Sequence, residues 1–296
     1  MALQNIITGK IDNPVRILLY GVEGVGKSTF AANAPSSIFL GTEDGTAHLD
    51  ISRLADVDSW QSVINNIKLL MVETHDFKTL VIDTLDWLEP LLWKYICKRD
   101  QFPNIEAYGY GKGYVSALDE WRILITDLNK LRDIKKMNII LLAHSWIKSF
   151  KNPEGEDFDR YELKLHPKAG GLLKEWADAV LFCNHETFAE QDKKNKRIKG
   201  VSSGARIIYT SRTAAYDAKN RYSLPERLAL DWDDFYAHIQ KRSGVSVNEI
   251  IAEIKQKLSA LDDATTKKVS EAIIRAGEDT VKLLQLNNWV NARIDI

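Results

Sequence analysis

A stretch near the start of the chain has the spacing of a phosphate-binding loop. Gly21 is followed by four residues and then by Gly26, Lys27 and Ser28, which is the pattern GxxxxGK[ST]. In such a loop backbone N–H groups surround phosphates, the lysine reaches the β- and γ-phosphates, and the serine hydroxyl binds Mg²⁺. The predicted ligands of a nucleotide, with ATP and Mg²⁺ as cofactors, are Gly21, Val22, Glu23, Gly24, Val25, Gly26, Lys27, Ser28 and Thr29.

A second carboxylate is needed on the metal side of such a site. Asp83 ends the apolar run Leu80-Val81-Ile82, and a nearby strand end is where this carboxylate belongs. We predict Ser28 and Asp83 as the Mg²⁺ site. The alternative is that Asp83 only caps the next helix through Thr84.

Short apolar runs alternate with helical patterns through the first 240 residues. The predicted strands are residues 15–20, 37–40, 79–83, 138–143 and 178–183, and the predicted helices are 27–34, 58–73, 84–98 and 114–135. These strand runs are continuously apolar, which is typical of strands covered on both faces. The pattern predicts an α/β fold with a mostly parallel central sheet and right-handed crossovers.

Two regions depart from this alternation. Residues 188–199 and 205–210 are predicted to form an antiparallel edge hairpin with a polar tip over 192–203. Ser246 with Glu249 forms a predicted capping box ahead of three helical patterns. The predicted domains are a core over 1–243 and a small helical segment over 244–296, which is either an appendage or packed on the core.

The composition excludes several classes of protein. Of 296 residues, 45% are hydrophobic and 27% charged, with 40 basic and 41 acidic side chains, so a disordered or collagen-like chain is excluded. Cys97 and Cys183 are the two cysteines, which excludes a disulfide scaffold. No apolar run reaches membrane-spanning length and no signal peptide is evident. We therefore expect a cytoplasmic protein without a membrane partner.

The segment after the predicted phosphate-loop helix resembles that of RecA. In residues 38–50, IFLGTEDGTAHLD, the resemblance implies that Glu43 is the catalytic base, with Asp44 as its rival. A carboxylate at a strand end near the γ-phosphate can orient the attacking water. His144 ends the fourth predicted strand and resembles the polar residue that senses the γ-phosphate in RecA-like ATPases.

Two further motifs extend this resemblance. Gly170 and Gly171 resemble the glycine pair that ends the second DNA loop of RecA. Lys219 and Arg221, in the triplet KNR, resemble the basic pair that RecA and DnaB-type ATPases place across a subunit interface. By that resemblance both side chains act on the γ-phosphate of a neighbouring subunit. A solvated basic pair is the alternative.

The order of these motifs most closely resembles phage nucleotide-binding proteins of the Sak recombinase type. The resemblance covers about residues 14–240 and implies a RecA-like P-loop NTPase with an edge hairpin and a small C-terminal helical segment. It implies a DNA-stimulated ATPase that binds single-stranded DNA, promotes annealing or recombination, and assembles with itself as a ring or filament, in the host cytoplasm if phage-encoded. A single-strand-binding protein is a candidate partner of residues 244–296.

Three stretches could contact DNA. Aromatic side chains that stack on bases, beside cations for phosphate, make a sequence-tolerant single-strand site. The glycine-rich stretch 101–114 and the long stretch 146–168, which is predicted to be a mobile loop or a hairpin, have such residues, and a dense basic run follows at 193–199. The predicted DNA-binding residues are Tyr108, Tyr110, Lys112, Lys148, Lys151, Lys168, Lys193, Lys194, Lys196 and Arg197.

Two other classes of function stay open on the sequence. One is a DnaB-like helicase or loader, which would displace strands. The other is a nucleotide-regulated adaptor without DNA contact, which would hydrolyse ATP at the same rate with and without DNA.

Overall fold

A mostly parallel sheet runs through the protein. The computed structural model describes residues 13–55, 57–191, 198–242 and 246–294. None of the helices in these residues is long and apolar enough to cross a membrane. The strands are β1 (Arg16–Gly21), β2 (Ser37–Gly41), β3 (Ser52–Arg53), β4 (Thr79–Asp83), β5 (Asn138–Phe150), β6 (Phe158–Leu163), β7 (Ala179–Gln191), β8 (Ile198–Tyr209), β9 (Lys219–Asn220) and β10 (Arg227–Ala229). The helices are α1 (Lys27–Ala32), α2 (Trp60–Val72), α3 (Leu85–Arg99), α4 (Lys112–Lys135), α5 (Pro167–Trp176), α6 (Trp232–Arg242), α7 (Val247–Lys257), α8 (Asp263–Ala276) and α9 (Thr280–Ile294), with 3₁₀ turns at Ile105–Tyr108 and Leu258–Ala260.

Parallel pairing brings the carboxyl ends of the central strands to the same edge of the sheet. The strands β7, β1, β5, β4, β2 and β3 lie in this order and are all parallel. Strands β6, β8, β9 and β10 extend this sheet by antiparallel pairing. Because parallel strands end at the same edge of a sheet, the carboxyl ends of β1, β2, β4 and β5 lie side by side.

The central strands are buried on both faces. Consecutive residues such as Leu18 and Leu19 in β1, or Leu141 and Leu142 in β5, are all fully buried. Since neighbouring residues of a strand point to opposite faces, helices must cover both sides of the sheet. The strands are continuously apolar in the sequence because both of their faces are covered. The predicted α/β fold with a mostly parallel sheet is confirmed.

Two strands run further than the apolar pattern predicts. Strand β5 continues seven residues past Ala143 to Phe150, and β7 continues past Cys183 to Gln191. Antiparallel partners, β6 and β8, pair with the backbone of these extensions. Of the two alternatives for the stretch 146–168, the structure therefore has the hairpin.

The edge hairpin has a shorter tip than the sequence predicts. Strand β8 begins at Ile198, so residues 198–203 belong to a strand and not to the tip. The rest of the predicted tip, residues 192–197, lies outside the described residues. Residues 202–206 of β8, next to this part of the hairpin, are exposed.

The C-terminal helices have a core of their own. The predicted capping box is present: Glu249 N donates to Ser246 Oγ at 3.2 Å, and Ser246 N donates to Glu249 Oε2 at 2.7 Å. The contacts within the chain divide it into two compact units, and the C-terminal unit begins at Asp233. Ala237 of α6 belongs to this unit because it packs in the same apolar cluster as α7, α8 and α9. The predicted boundary between residues 243 and 244 lies outside the described residues. The buried side chains of this cluster are Ala237, Ile250, Ile254, Val269, Leu283, Leu284 and Val290.

Glu89 on α3 is a buried carboxyl group that connects two parts of the sheet domain. It is 5% exposed and accepts a hydrogen bond from the backbone N–H of His166, the N-cap of α5, at 3.0 Å. Burial raises the pKa of Glu89 to about 7, because the charged form loses its hydration.

This pKa predicts a pH dependence of stability. Because the pKa of Glu89 is higher in the folded chain than in the unfolded chain, the protein loses stability as the pH rises toward and through 7. Glu89→Gln removes this titration, so between pH 5.5 and pH 8 the wild type should lose about 2 kcal/mol of unfolding free energy relative to the variant. Urea unfolding at both pH values measures this difference. The exposed Glu73→Gln is the control, and a stability difference between wild type and Glu89→Gln that is equal at the two pH values would contradict the prediction.

Candidate nucleotide-binding site

The phosphate loop connects β1 to α1, and its glycines permit its shape. Gly24 and Gly26 have φ angles of 69° and 106°, a region that residues with a Cβ rarely adopt. Gly26 is the N-cap of α1, and none of the described side chains caps the first turn. The first N–H groups of α1 are therefore available for a phosphate, as the sequence pattern predicts.

The ammonium group of Lys27 lies inside this loop. Lys27 is 5% exposed, and its Nζ donates to the carbonyl oxygens of Val22 at 2.9 Å and Gly21 at 3.3 Å. Burial lowers the pKa of Lys27, because the charged form loses its hydration. A bound polyanion would supply the countercharge that the loop carbonyls only partly replace.

Ser28 and Asp83 form the polar pair that the sequence predicts for Mg²⁺. The Ser28 hydroxyl donates to Asp83 Oδ2 at 2.7 Å. Asp83 is 1% exposed, and its second oxygen, Oδ1, has no hydrogen-bond partner among the described residues. Burial raises the pKa of Asp83, although the hydrogen bond from Ser28 opposes this rise. A buried carboxylate oxygen without a donor, beside a hydroxyl, fits a hard cation.

Hydrogen bonds between the ends of β2 and β4 position the next carboxylate. Thr42 N donates to Asp83 O at 2.7 Å, and Thr84 N donates to Thr42 Oγ1 at 2.9 Å. The Thr42 hydroxyl in turn donates to Thr84 O at 2.7 Å. The peptide bond between Asp83 and Thr84 is cis. Glu43, the residue after Thr42, is therefore held beside the Ser28–Asp83 pair.

Glu43 and Asp44 have different surroundings. Glu43 is half-buried, and burial raises the pKa of its carboxyl group. The charges of His144 and Lys27 oppose this rise, whereas those of Asp83 and Asp86 add to it. Asp44 is exposed to solvent. The environment of Glu43 suits a carboxylate that orients water at the γ-phosphate, although its role as the base stays a prediction.

His144 lies at the same edge of the sheet and is oriented by Asp86 of α3. It is level with Gly21 of β1 in the strand register. Its backbone N–H donates to Asp86 Oδ1 at 3.0 Å, and its Nδ1 lies 2.9 Å from Asp86 Oδ2. Burial alone would raise the pKa of Asp86, but the hydrogen bonds from His144 hold it below its usual value. The predicted role of His144 as a sensor stays a prediction.

The family comparison agrees with this geometry. The profile of the AAA domain family matches residues 13–222, more than two thirds of the chain. The chain belongs to the AAA domain family. No curated protein shows significant sequence similarity to it. Membership supports a P-loop ATPase, and the loop, the Ser28–Asp83 pair and Glu43 all lie within the matched residues.

Lys219 and Arg221 do not lie at the phosphate loop of their own AAA domain. Lys219 pairs with Val180 near the amino end of β7, whereas the loop is at the carboxyl ends of the strands. The Lys219 ammonium donates to three carbonyl oxygens at the end of α5, at 2.7–3.0 Å. Arg221 contacts Asp178 at 3.1 Å, and its side chain is 53% exposed. Lys219 therefore holds the end of α5, and of the two cations only Arg221 has its charged end largely exposed.

The predicted aromatic site over 101–114 is only partly solvent-exposed. Tyr108 stacks on Phe102, with ring centroids 4.0 Å apart, and its hydroxyl contacts Ile96 O and Asp100. These contacts support a structural role for Tyr108. Tyr110 is fully exposed, with a φ of 50°, and Lys112 is exposed at the start of α4. Of the two tyrosines predicted to contact DNA, Tyr110 is thus the one whose ring is exposed, and its role stays a prediction.

The predicted lysines of the stretch 146–168 lie on or beside the β5–β6 hairpin. Lys148 Nζ lies 3.9 Å from the centroid of the Trp146 ring, a cation–π contact. Lys151 forms an ion pair with Asp157, and Lys168 is exposed in the first turn of α5. The basic run, with Lys193, Lys194, Lys196 and Arg197, lies outside the described residues.

Several residues of the site have no distinctive spacing in the sequence. Thr42 and Asp86 hold strand ends, and Glu89 holds the N-cap of α5, through hydrogen bonds to residues far along the chain. Asp86 and Glu89 follow Asp83 at intervals of three, which puts the two helical carboxylates on one face of α3. That spacing is the only signal for them, and it does not reveal their partners.

The different surroundings of the two acidic residues give a direct test. Glu43→Gln should keep ATP affinity within about threefold and lose turnover by a factor of about 10²–10⁴, because it keeps the side-chain shape but removes the base. Asp44→Asn, the matched control, should hydrolyse ATP nearly as fast as wild type. Phosphate release and nucleotide-binding titrations measure the two quantities. Loss of turnover in Asp44→Asn with retention in Glu43→Gln would assign the base to Asp44.

Proposed function

We propose that this AAA domain is an ATP-dependent single-stranded-DNA-binding protein of the recombinase and annealing type, similar to the Sak proteins. The observation that carries the proposal is the course of β5. One strand carries His144 beside the phosphate loop and then, two and four residues later, Trp146 and Lys148 on an exposed hairpin. A nucleotide site and an aromatic, basic surface are thus joined by continuous backbone.

A groove between this hairpin and α5 has the side chains that a single strand needs. It has a volume of about 370 Å³. Trp146, Lys148 and Phe150 alternate along β5 and share a face, which also carries Arg160 of β6. Aromatic rings stack on bases without regard to sequence, and cations track the phosphates. Gly170 and Gly171 of α5, which carry no side chains, line the groove together with Pro167 and Lys174 of the same helix.

The chemistry at the nucleotide site assigns separate roles to the residues described. The loop N–H groups and Lys27 bind the phosphates, and Ser28 with Asp83 would hold Mg²⁺. The cation, when bound, neutralises charge on the β- and γ-phosphates. Glu43 orients the attacking water and accepts its proton, and Asp86 keeps the His144 ring in one orientation beside it.

The hairpin surface predicts that DNA and ATP hydrolysis are coupled. Single-stranded DNA should stimulate hydrolysis by the wild type at low salt, because it binds the hairpin formed by the same strand, β5, that passes the nucleotide site at His144. Lys148→Ala should lose this stimulation, keep the basal rate, and reduce the slope of log binding constant against log salt by about 0.7. Lys130→Ala, an exposed lysine on α4, is the control.

The outcomes of this experiment separate the alternatives. Hydrolysis that is indifferent to DNA, with no DNA binding by the wild type, would contradict the proposal and favour an adaptor. Stimulation accompanied by strand displacement would favour a helicase. Retention of DNA stimulation by Lys148→Ala would remove the hairpin groove from the proposal.

We further propose that Arg221 completes the nucleotide site of a neighbouring copy. Its position at the amino edge of the sheet is compatible with action in trans and not in cis. Arg221→Ala should bind ATP but lose turnover, because transition-state charge is no longer stabilised. Mixing Arg221→Ala with Glu43→Gln should restore activity, since hybrid interfaces then combine an intact base with an intact arginine. Normal hydrolysis by Arg221→Ala alone would contradict this role.

A further inference from the structure

Arg206 of β8 lies against the phosphate loop, although no sequence motif includes it. A Cβ placed on Gly26 would lie 2.7 Å from Arg206 Nη1 and 3.7 Å from its Cζ. The third neighbour of that position is Leu230, at 3.6 Å. The guanidinium group is thus in contact with the backbone of the residue that precedes Lys27.

Rigid elements fix this position. Arg206 faces His185 of β7 in the antiparallel register. Its carbonyl oxygen accepts a hydrogen bond from Leu230 N at 2.9 Å, just beyond β10. The next residues of β8, Ile207 to Tyr209, are paired on both sides, with β7 and β10. The backbone of Arg206 is therefore held by the sheet, while its exposed side chain extends to the loop.

The charge of Arg206 lacks a partner in the described part of the chain. Its guanidinium makes neither a hydrogen bond nor an ion pair with any residue described there. Other arginines of the same sheet differ: Arg16 is paired with Asp178, and Arg227 with Glu186. An arginine that has no carboxylate partner among the described residues and contacts a predicted phosphate-binding loop is positioned to bind an anion.

We propose that Arg206 binds the nucleotide phosphates in cis, from the side of Gly26. Backbone N–H groups of such a loop hold the α- and β-phosphates, whereas the lysine reaches the β- and γ-phosphates. Arg206 therefore provides a second cation beside the α- and β-phosphates. Because ATP and ADP share these two phosphates, the affinities of both nucleotides depend on Arg206. The inference rests on nucleotide binding at this loop and is independent of DNA binding.

This role differs from that of Arg221. Arg206 is at the carboxyl edge of the sheet beside its own loop, and Arg221 is at the amino edge. The first sets the affinity for nucleotide, and the second is proposed to act on turnover in a neighbouring copy. The two arginines are thus distinguishable by the kinetic quantity that each changes.

Titration with fluorescent ADP and ATP tests the proposal on the full chain. Arg206→Ala should lower the affinity for both nucleotides by about ten- to a hundredfold, which is the effect of losing a charged hydrogen bond. Its rate at saturating ATP should stay within about threefold of wild type, and Arg206→Lys should recover part of the affinity. Arg122→Ala, an exposed arginine on α4, is the matched control, and Lys27→Ala is the reference for a disabled loop.

Each other outcome overturns the proposal. An Arg206→Ala chain that binds ADP within twofold of wild type would show that the guanidinium does not contact the phosphates. Tight sites that appear on mixing Arg206→Ala with Lys27→Ala would show action in trans. A wild-type chain that binds neither nucleotide would overturn nucleotide binding itself together with this inference. If instead the wild type binds nucleotide and Arg206→Ala binds it equally well, only the inference about Arg206 is overturned.

Discussion

Parallel pairing of β1, β5, β4 and β2 is the constraint on which the nucleotide site depends. It places Gly21 level with His144, and Gly41 level with Asp83, at one edge of the sheet. Residues more than a hundred positions apart thereby become neighbours. The interior of the sheet, fully apolar on both faces, keeps these strand ends in register, because a shift of one residue would move buried side chains to the opposite face.

Burial of charge is the second property that defines the site. Lys27 and Asp83 are both nearly inaccessible to solvent, and their pKa values shift in the directions that favour the neutral forms. Such groups destabilise a folded chain unless ligands compensate for the lost hydration. A polyanion at Lys27 and a divalent cation at Asp83 would each do so. Nucleotide and metal, when bound together, would thus compensate for the burial of both groups.

Helix α3 connects this site to the proposed DNA-binding groove. Asp86 binds His144, the last residue of β5 that pairs with β1, and Glu89 binds the N-cap of α5. The backbone of His144 also accepts a hydrogen bond from Lys164 N, at 3.0 Å, in the segment that leads to α5. These contacts form a continuous physical path between the nucleotide site and the proposed groove.

The sequence by itself determined the phosphate loop, the central strands and the α/β class, because these depend on local spacing and on side chains buried on both faces. It also identified Asp83, which ends an apolar run, and, through the resemblance of residues 38–50 to RecA, Glu43 with Asp44 as its rival. Tertiary structure alone showed that Glu43 is half-buried and Asp44 exposed, extended β5 into a hairpin, and gave Lys219 carbonyl partners on α5. It alone brought Arg206 to Gly26. These features depend on pairing between strands that are distant in the chain, and the types and spacing of side chains do not predict which strands pair.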